Sequence, residues 1–229
     1  MLKERIDALI DKSPVARSEH LGRYEFAASG SGQKVLDVGC GFGYGSHLLY
    51  RAGKNVTSID RSAEAISYAK DHYPGPKYLV GNAVPLEFSN DSFDSVVSFE
   101  VMEHLAEPER LIAEAYRVLK PNGTLFVSTP NPRHLLTCLR HYLLFQPWPE
   151  KLEKHNVYHL KEYYYEEFLA VLSAQGFKIE RVFGQTLLWS KILFGLARLI
   201  LPRWSGKLIV DSGYCLPKYA ATVVLQARK

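Results

Sequence analysis

A buried strand that runs into alternating glycines constrains the fold of this 229-residue chain more than any other feature. The segment Val35–Val38 carries three apolar residues around Asp37, and their run without alternation predicts the buried end of a strand. Glycines follow at positions 39, 41, 43 and 45, and residues 46–51 are typical of a helix. Glycine allows unusual backbone angles and direct contact with a ligand. No frame gives the G-x-G-x-x-G spacing of dinucleotide sites, and the preceding acidic residue would repel a diphosphate, so the pattern argues against NAD.

The segment Asp37–Gly43 resembles motif I of the class I S-adenosylmethionine-dependent methyltransferases, in which an acidic residue precedes G-x-G-x-G. The resemblance covers about residues 33–177 and implies S-adenosylmethionine as the cofactor. It places the Asp37 carboxylate near the methionine end of that cofactor. The resemblance also implies that the backbone packs against the cofactor at Gly39, Cys40, Gly41 and Gly43. An N-terminal helix is also implied over the cofactor, from which Arg23 and Tyr24 would reach its carboxylate or the acceptor; a solvated arginine and a packed tyrosine is the alternative.

Strands and helices alternate through the rest of the chain. Strands are expected at 34–38, 55–60, 77–83, 95–99, 124–128, 177–183 and 219–226. The alternation predicts an α/β fold with a mostly parallel sheet and helices on both faces. With the resemblance, it implies a Rossmann-like sheet of seven strands whose last strand is antiparallel. We expect one methyltransferase domain over residues 1–229, with a cofactor-binding core at 30–130 and apolar substrate-cap insertions at 131–160 and 185–218.

Polar residues stand at the predicted carboxyl ends of the strands, where ligands bind in such sheets. Asp60 ends the second strand, and a carboxylate there can accept hydrogen bonds from both hydroxyls of a ribose. Asn82 stands where the resembled family carries an aspartate, and its amide oxygen can still accept a bond from the adenine amino group. The remaining predicted cofactor contacts are Arg61, Ala83 and Phe99.

A cluster of two carboxylates and an imidazole follows the fourth predicted strand. If a helix begins here and runs to Leu119, then Glu100, Glu103 and His104 share one of its faces. Three interpretations stay open. His104 could act as a general base on an acceptor hydroxyl, the three side chains could hold Mg²⁺ or another divalent cation, or they could simply cap the helix.

The cluster and a later motif resemble a second, narrower group. Glu-x-x-Glu-His at 100–104, Thr-Pro-Asn at 129–131 and His-x-x-Glu at 159–162 are similar to the pattern of small-RNA 2′-O-methyltransferases, in which two Glu and two His hold Mg²⁺. That resemblance implies Glu100, Glu103, His104 and His159 as metal ligands. The first part also resembles the O-methyltransferases of ubiquinone biosynthesis. The rival functions are therefore a metal-dependent RNA 2′-O-methyltransferase and a non-catalytic, cofactor-binding partner subunit.

Two strongly apolar stretches, at 135–145 and 187–201, bear on the acceptor. Three roles are open for these stretches. They could form cap helices packed on each other, contact a membrane surface or a lipid-like acceptor, or form a subunit interface. Lys and Arg are scattered and the net charge is only +4, which disfavours nucleic acid. We expect O-methylation of a small or lipid-like acceptor, such as a quinone, a lipid-linked glycan or a natural product.

The cysteines and the first residues bear on the compartment. The three cysteines have no metal-type spacing, and residues 1–10 read as an amphipathic helix rather than an apolar signal segment. These features predict a cytoplasmic protein, with peripheral membrane contact as an alternative. The sequence leaves the oligomeric state open.

Overall fold

The computed structural model describes residues 14–132, 159–185 and 216–229, which form a seven-stranded sheet. The strands are β1 (Lys34–Val38), β2 (Asn55–Asp60), β3 (Lys77–Val80), β4 (Phe93–Phe99), β5 (Leu119–Pro130), β6 (Lys178–Gln185) and β7 (Thr222–Arg228). Their order is β3-β2-β1-β4-β5-β7-β6, and all neighbours from β3 to β5 pair in parallel. Strand β7 lies antiparallel to both β5 and β6. The predicted Rossmann-like, mostly parallel sheet with an antiparallel last strand is confirmed.

Helices cover both faces of the sheet. They are α1 (Pro14–Gly30), α2 (Tyr44–Arg51), α3 (Ala63–His72), α4 (Pro108–Val118) and α5 (Tyr165–Ala174). Because successive strand residues point to opposite faces, Val35 packs among residues of α1, α2 and α3, whereas Leu36 packs among those of α4 and α5. The same alternation puts Asp37 on the face of α1 and α2, where its charge must find partners inside the protein.

The helix predicted from Glu100 to Leu119 is wrong in its first part. Strand β4 ends at Phe99, Glu100 has a left-handed backbone (φ +56°), and a single 3₁₀ turn covers Met102–His104. The helix α4 begins only at Pro108, so this proline lies in the first turn of the helix. Proline fits that position because it has no N–H to leave unpaired, and it disfavours helical backbone in the residue before it. Glu100, Glu103 and His104 therefore do not share one helical face.

Strand β5 was expected only at 124–128, but residues 119–123 are extended as well. These residues belong to β5, whose pairing with β4 is irregular between Phe93 and Ser95, and Asn122 takes a left-handed backbone (φ +64°). The extra residues form an irregularity in the ladder rather than a separate turn.

Several predictions lie outside the described residues, namely the helix at 1–10 and the apolar stretches at 135–145 and 187–201. The expected domain limits and insertion limits stay predictions. No helix within the described ranges is both long enough and apolar enough to cross a bilayer.

Candidate active site

Three glycines shape the loop after β1, and each has a left-handed backbone (φ +75°, +54° and +86° at Gly39, Gly41 and Gly43). A Cβ on Gly39 would lie 2.4 Å from Val101 Cγ2, and one on Gly43 would lie 2.5 Å from Ala69 Cβ. A Cβ on Gly41 would meet nothing within 4 Å. Two of the glycines are therefore required by packing, whereas Gly41 presents an open edge that a ligand can approach.

Asp60 holds this loop in place from the end of β2. Its Oδ2 accepts a hydrogen bond from the Gly41 N–H (2.9 Å), and its Oδ1 accepts one from the Ser62 N–H (2.9 Å). The Gly39 and Cys40 N–H groups both donate to the Ile59 carbonyl, at 2.8 and 3.0 Å. A carboxylate offers about four acceptor sites, so Asp60 retains acceptor capacity. Its expected contact with a ribose stays a prediction.

Asp37 is fully buried and its carboxylate is enclosed by the protein. Oδ2 accepts from Ser46 Oγ (2.6 Å), and Tyr24 Oη donates to Oδ1 (3.2 Å). The Tyr24 ring lies where a Cβ on Gly45 would be only 2.1 Å away, so that glycine makes room for it. Burial raises the pKa of Asp37 to about 7, although the bonds from Ser46 and Tyr24 oppose the rise. Asp37 thus ties α1 and α2 to the end of β1.

The other predicted cofactor residues differ in exposure. Phe99 is buried against the Tyr24 ring in an edge-to-face contact (5.1 Å between centroids). Cys40 is a buried free thiol whose pKa is raised by burial, so it stays protonated. Arg61 and Asn82 are exposed beyond β2 and β3, and Ala83 is half-buried. All of them lie at or just beyond the carboxyl ends of the strands.

Glu100, which is half-buried, belongs to a network with α1 and β5. Its Oε1 accepts from Ser128 Oγ (2.7 Å) and pairs with the Arg23 guanidinium (2.8 Å). Arg23 is 2% exposed and also donates to Ser128 Oγ (3.1 Å). Arg23 is therefore bound to protein rather than presented to solvent. These contacts hold Glu100 in its left-handed conformation, which only tertiary structure can impose.

Glu103, His104 and His159 come together at the mouth of the sheet, with one ligand atom from each within 4.8 Å of the others. The His104 and His159 rings meet edge to face (5.0 Å between centroids). Glu103 is completely buried, and neither carboxylate oxygen has a hydrogen-bond partner among the described residues. Burial, followed by the charge of Glu100, raises the Glu103 pKa well above its usual range. Glu100, the fourth predicted ligand, stands outside this group in its pair with Arg23.

The segment that carries His159 is fastened to the turn that carries Glu103. The Glu103 carbonyl accepts from the N–H groups of Leu160 (2.7 Å) and Lys161 (3.3 Å). Tyr163 Oη donates to Glu109 Oε1 (2.8 Å) on the first turn of α4. These attachments were not predicted. The only sign of this segment in the sequence was the His-x-x-Glu motif at 159–162.

Comparisons with known proteins identify relatives of this chain. A family model described as a methyltransferase domain matches residues 36–127. A protein of Mycolicibacterium smegmatis, named as a probable S-adenosylmethionine-dependent methyltransferase, is 31% identical over 154 residues, which are 67% of this chain and 55% of that protein. The chain carries a class I S-adenosylmethionine-dependent methyltransferase domain. It spans about half the length of the first curated relatives that it matches (55% and 48%).

Further relatives of this methyltransferase domain extend the comparison. The mitochondrial ubiquinone biosynthesis O-methyltransferase of Mus musculus is 41% identical over 113 residues, which are 46% of this chain and 30% of that protein. A crystal structure of an S-adenosylmethionine-dependent methyltransferase from Mesorhizobium loti shares the fold, with a TM-score of 0.65 and 18% identity over 95% of this chain and 100% of that one.

The methyltransferase domain implies S-adenosylmethionine as its cofactor, and the residues present fit it. The open edge at Gly41 gives the ligand room, and the Asp60 carboxylate lies beside that edge. Val101 packs on Gly39 of the glycine loop. The 3₁₀ turn that carries Glu103 and His104 begins at the next residue, so it lies beside that loop. A cofactor on the loop and an acceptor near Glu103 would therefore be neighbours.

Proposed function

We propose that this chain transfers a methyl group from S-adenosylmethionine to a hydroxyl oxygen of a small or lipid-like acceptor. In this step the acceptor oxygen bonds to the methyl carbon while the carbon–sulfur bond breaks. S-adenosylhomocysteine leaves, and the acceptor loses its hydroxyl proton. Placement of the oxygen in line with the sulfonium methyl supplies most of the rate enhancement. When no cation is bound, His104, half-buried beside Glu103, would receive the proton.

The observation that carries the proposal is the buried Glu103 carboxylate facing two imidazoles. Among the described residues this carboxylate has no hydrogen-bond partner, which is costly for a buried group, and a cost of this kind marks a candidate functional site. The ubiquinone O-methyltransferase relatives support oxygen as the accepting atom. Neither observation identifies one acceptor molecule, and the proposal is therefore made for a chemical class.

A divalent cation fits the same three residues. Glu103 offers an anionic oxygen, and His104 and His159 each offer a ring nitrogen. One carboxylate with two imidazoles suits Mn²⁺ or Zn²⁺ better than Mg²⁺, which prefers oxygen ligands and bound waters. Such a cation, when bound, lowers the pKa of a coordinated hydroxyl. We propose Glu103, His104 and His159 as its ligands, without Glu100, because the Arg23 guanidinium already neutralises that carboxylate.

Titration calorimetry tests the cofactor and the cation separately. S-adenosylhomocysteine should bind the wild-type protein, and Mn²⁺ should bind with a heat that is lost in Glu103→Gln. The control is Glu107→Gln, because Glu107 is exposed and pairs with the exposed residue Arg110. Absence of nucleoside binding in a folded sample would refute the methyltransferase proposal. Equal Mn²⁺ binding by wild type and Glu103→Gln would refute the cation and leave His104 as a metal-free base.

The acceptor class can be tested by methyl transfer from labelled S-adenosylmethionine. The apolar stretches at 135–145 and 187–201 support a quinone-like, lipid-linked or natural-product acceptor and contact with a membrane surface. We expect label in extracted lipid or quinone fractions and none in short RNA duplexes. Label in the RNA, with binding that weakens steeply as salt is raised, would favour the RNA 2′-O-methyltransferase instead. Cofactor binding without transfer to any fraction would favour a partner subunit.

A further inference from the structure

We propose that Glu162 is a positioning residue that fixes the tautomer of His159 and directs its Nε2 toward Glu103 and His104. This inference rests on the proposed function, because it concerns the same three-residue group. It assigns a role to a residue that lies outside that group. Glu162 is placed three positions after His159, in the segment that is fastened to the Glu103 turn.

The contact between the two side chains is short and shielded from solvent. His159 Nδ1 lies 2.7 Å from Glu162 Oε1, and the two side chains are only 10% and 6% exposed. When Glu162 is ionised, its carboxylate has no hydrogen to donate, and Nδ1 then carries the proton of this bond. In a neutral imidazole the lone pair then resides on Nε2, which is the ring nitrogen that Glu162 leaves available to the group with Glu103 and His104. The ring is thereby fixed in both tautomer and orientation.

The backbone around Glu162 is held on both sides of the pair. Before it, the N–H groups of Leu160 and Lys161 donate to the Glu103 carbonyl. After it, Tyr163 Oη donates to Glu109 Oε1. Because these anchors bind the segment to the turn and to α4, the imidazole and the carboxylate are brought together by the fold. A carboxylate that orients a ligating histidine in this way raises the basicity of the ring nitrogen that faces the ligand.

The test uses two readouts on the whole chain, one of which needs no cation. Nitrogen-15 NMR of the imidazoles reports which ring nitrogen of His159 is protonated, with its signals identified by their loss in His159→Asn. Calorimetry reports Mn²⁺ affinity. The variants are Glu162→Ala, which removes the acceptor, and Glu162→Gln, which keeps an acceptor oxygen of the same shape. The control is Glu166→Gln, which removes a charge from an exposed ion pair with Lys218.

We expect an Nδ1–H signal from His159 in the wild type, retained in Glu162→Gln and Glu166→Gln. In Glu162→Ala the proton should shift toward Nε2, and Mn²⁺ affinity should fall roughly 10- to 100-fold. Glu162→Gln should lose less affinity than Glu162→Ala, since the tautomer is preserved. A folded Glu162→Ala protein is recognised by its unchanged amide spectrum away from residues 159–163; if that variant does not fold, the wild type and Glu162→Gln decide the question.

Two results would overturn the inference: an Nε2–H tautomer of His159 in the wild type, or the same tautomer and Mn²⁺ affinity in Glu162→Ala as in the wild type. A third result separates this inference from the function on which it rests. If the Nδ1–H signal depends on Glu162 but no protein in the series binds Mn²⁺, the positioning role stands and the cation proposal fails.

Discussion

The glycine loop and the Glu103 group lie at the same edge of the sheet but treat their buried carboxylates in opposite ways. Asp37 and Asp60 each accept at least two hydrogen bonds from their own surroundings. Glu103 is equally buried, yet neither of its side-chain oxygens has a partner in the part of the chain that the structure describes. The carboxylates on the cofactor side therefore find their partners within the described part of the fold, whereas the Glu103 carboxylate finds none there.

One ion pair joins the two regions. Arg23 reaches from α1, the helix whose Tyr24 lies beside Asp37, to Glu100, three residues before Glu103. Breaking this pair therefore tests whether the two regions are mechanically connected.

A large effect is expected from Arg23→Met, which keeps the apolar stem and deletes the guanidinium. Removing one partner of a buried pair leaves an uncompensated charge, so we expect the free energy of unfolding to fall by about 3 kcal/mol. Urea denaturation measures it. Arg17→Met is the matched control, because Arg17 is exposed on the same helix. Equal stability of the two variants would show that the ion pair contributes nothing.

The free energy of unfolding should depend on pH because of Asp37, which lies on the cofactor side. Its pKa is about 7 in the folded protein and about 3.8 when unfolded, so between these values the folded state binds the extra proton. Stability from this group is therefore fully present below about pH 4 and is lost as the pH rises through about 7, by roughly 4 kcal/mol for a shift of about 3 units. Asp37→Asn should lack this part of the slope. The comparison is by urea denaturation from pH 4.5 to 8; parallel curves for the two proteins would contradict the assignment.

Two glycines of the same loop should respond differently to alanine. Gly43→Ala places a Cβ 2.5 Å from Ala69 Cβ on a left-handed backbone, and should lower the free energy of unfolding by about 2–4 kcal/mol. Gly41→Ala has the same backbone problem but no clash, so about 1 kcal/mol is expected. Its methyl group enters the open edge instead, and S-adenosylhomocysteine affinity should drop. Unchanged affinity in Gly41→Ala would place the ligand elsewhere.

The contrast also explains what could be predicted from sequence. Strand β1, the glycines and Asp60 lie within about 25 residues, and their roles follow from local pattern, so the strand limits of β1 and β2 were predicted correctly. The placement of Asp37 opposite Tyr24 and Ser46 was not, because it depends on how α1 packs.

The Glu103 side was harder to predict because distant segments build it. Glu100 to Leu105 contains good helix formers, which is why a helix was expected there. Contacts from Arg23 and Ser128 instead hold Glu100 left-handed and end the strand in a short turn. The complete burial of Glu103 has no signature in the sequence.

A substitution that removes the Glu103 carboxylate should stabilise the protein. Among the described residues this buried group has no side-chain hydrogen-bond partner, and Glu103→Met replaces it by an apolar group of similar length, so we expect a gain of about 1–3 kcal/mol in metal-free buffer at pH 8. Glu103→Gln should gain less, since an amide without partners is also costly. Thermal unfolding with a chelator present measures both. Loss of stability in Glu103→Met would show that the carboxylate has a favourable partner in the fold, and would remove the contrast with Asp37.

The smallest effect is expected on the satisfied side, from Tyr24→Phe. The ring keeps its place over Gly45 and against Phe99, so only the hydroxyl that donates to Asp37 is lost. Because Ser46 still donates to the same carboxylate, we expect a loss of about 1 kcal/mol. The bond from Tyr24 also favours the ionised form of Asp37, so its removal should move the titration of Asp37 to higher pH. Urea denaturation across the same pH range measures both effects. A loss that is largest at pH 8, where Asp37 is ionised, is expected; a loss that is constant with pH would mean that the hydroxyl does not act through that carboxylate.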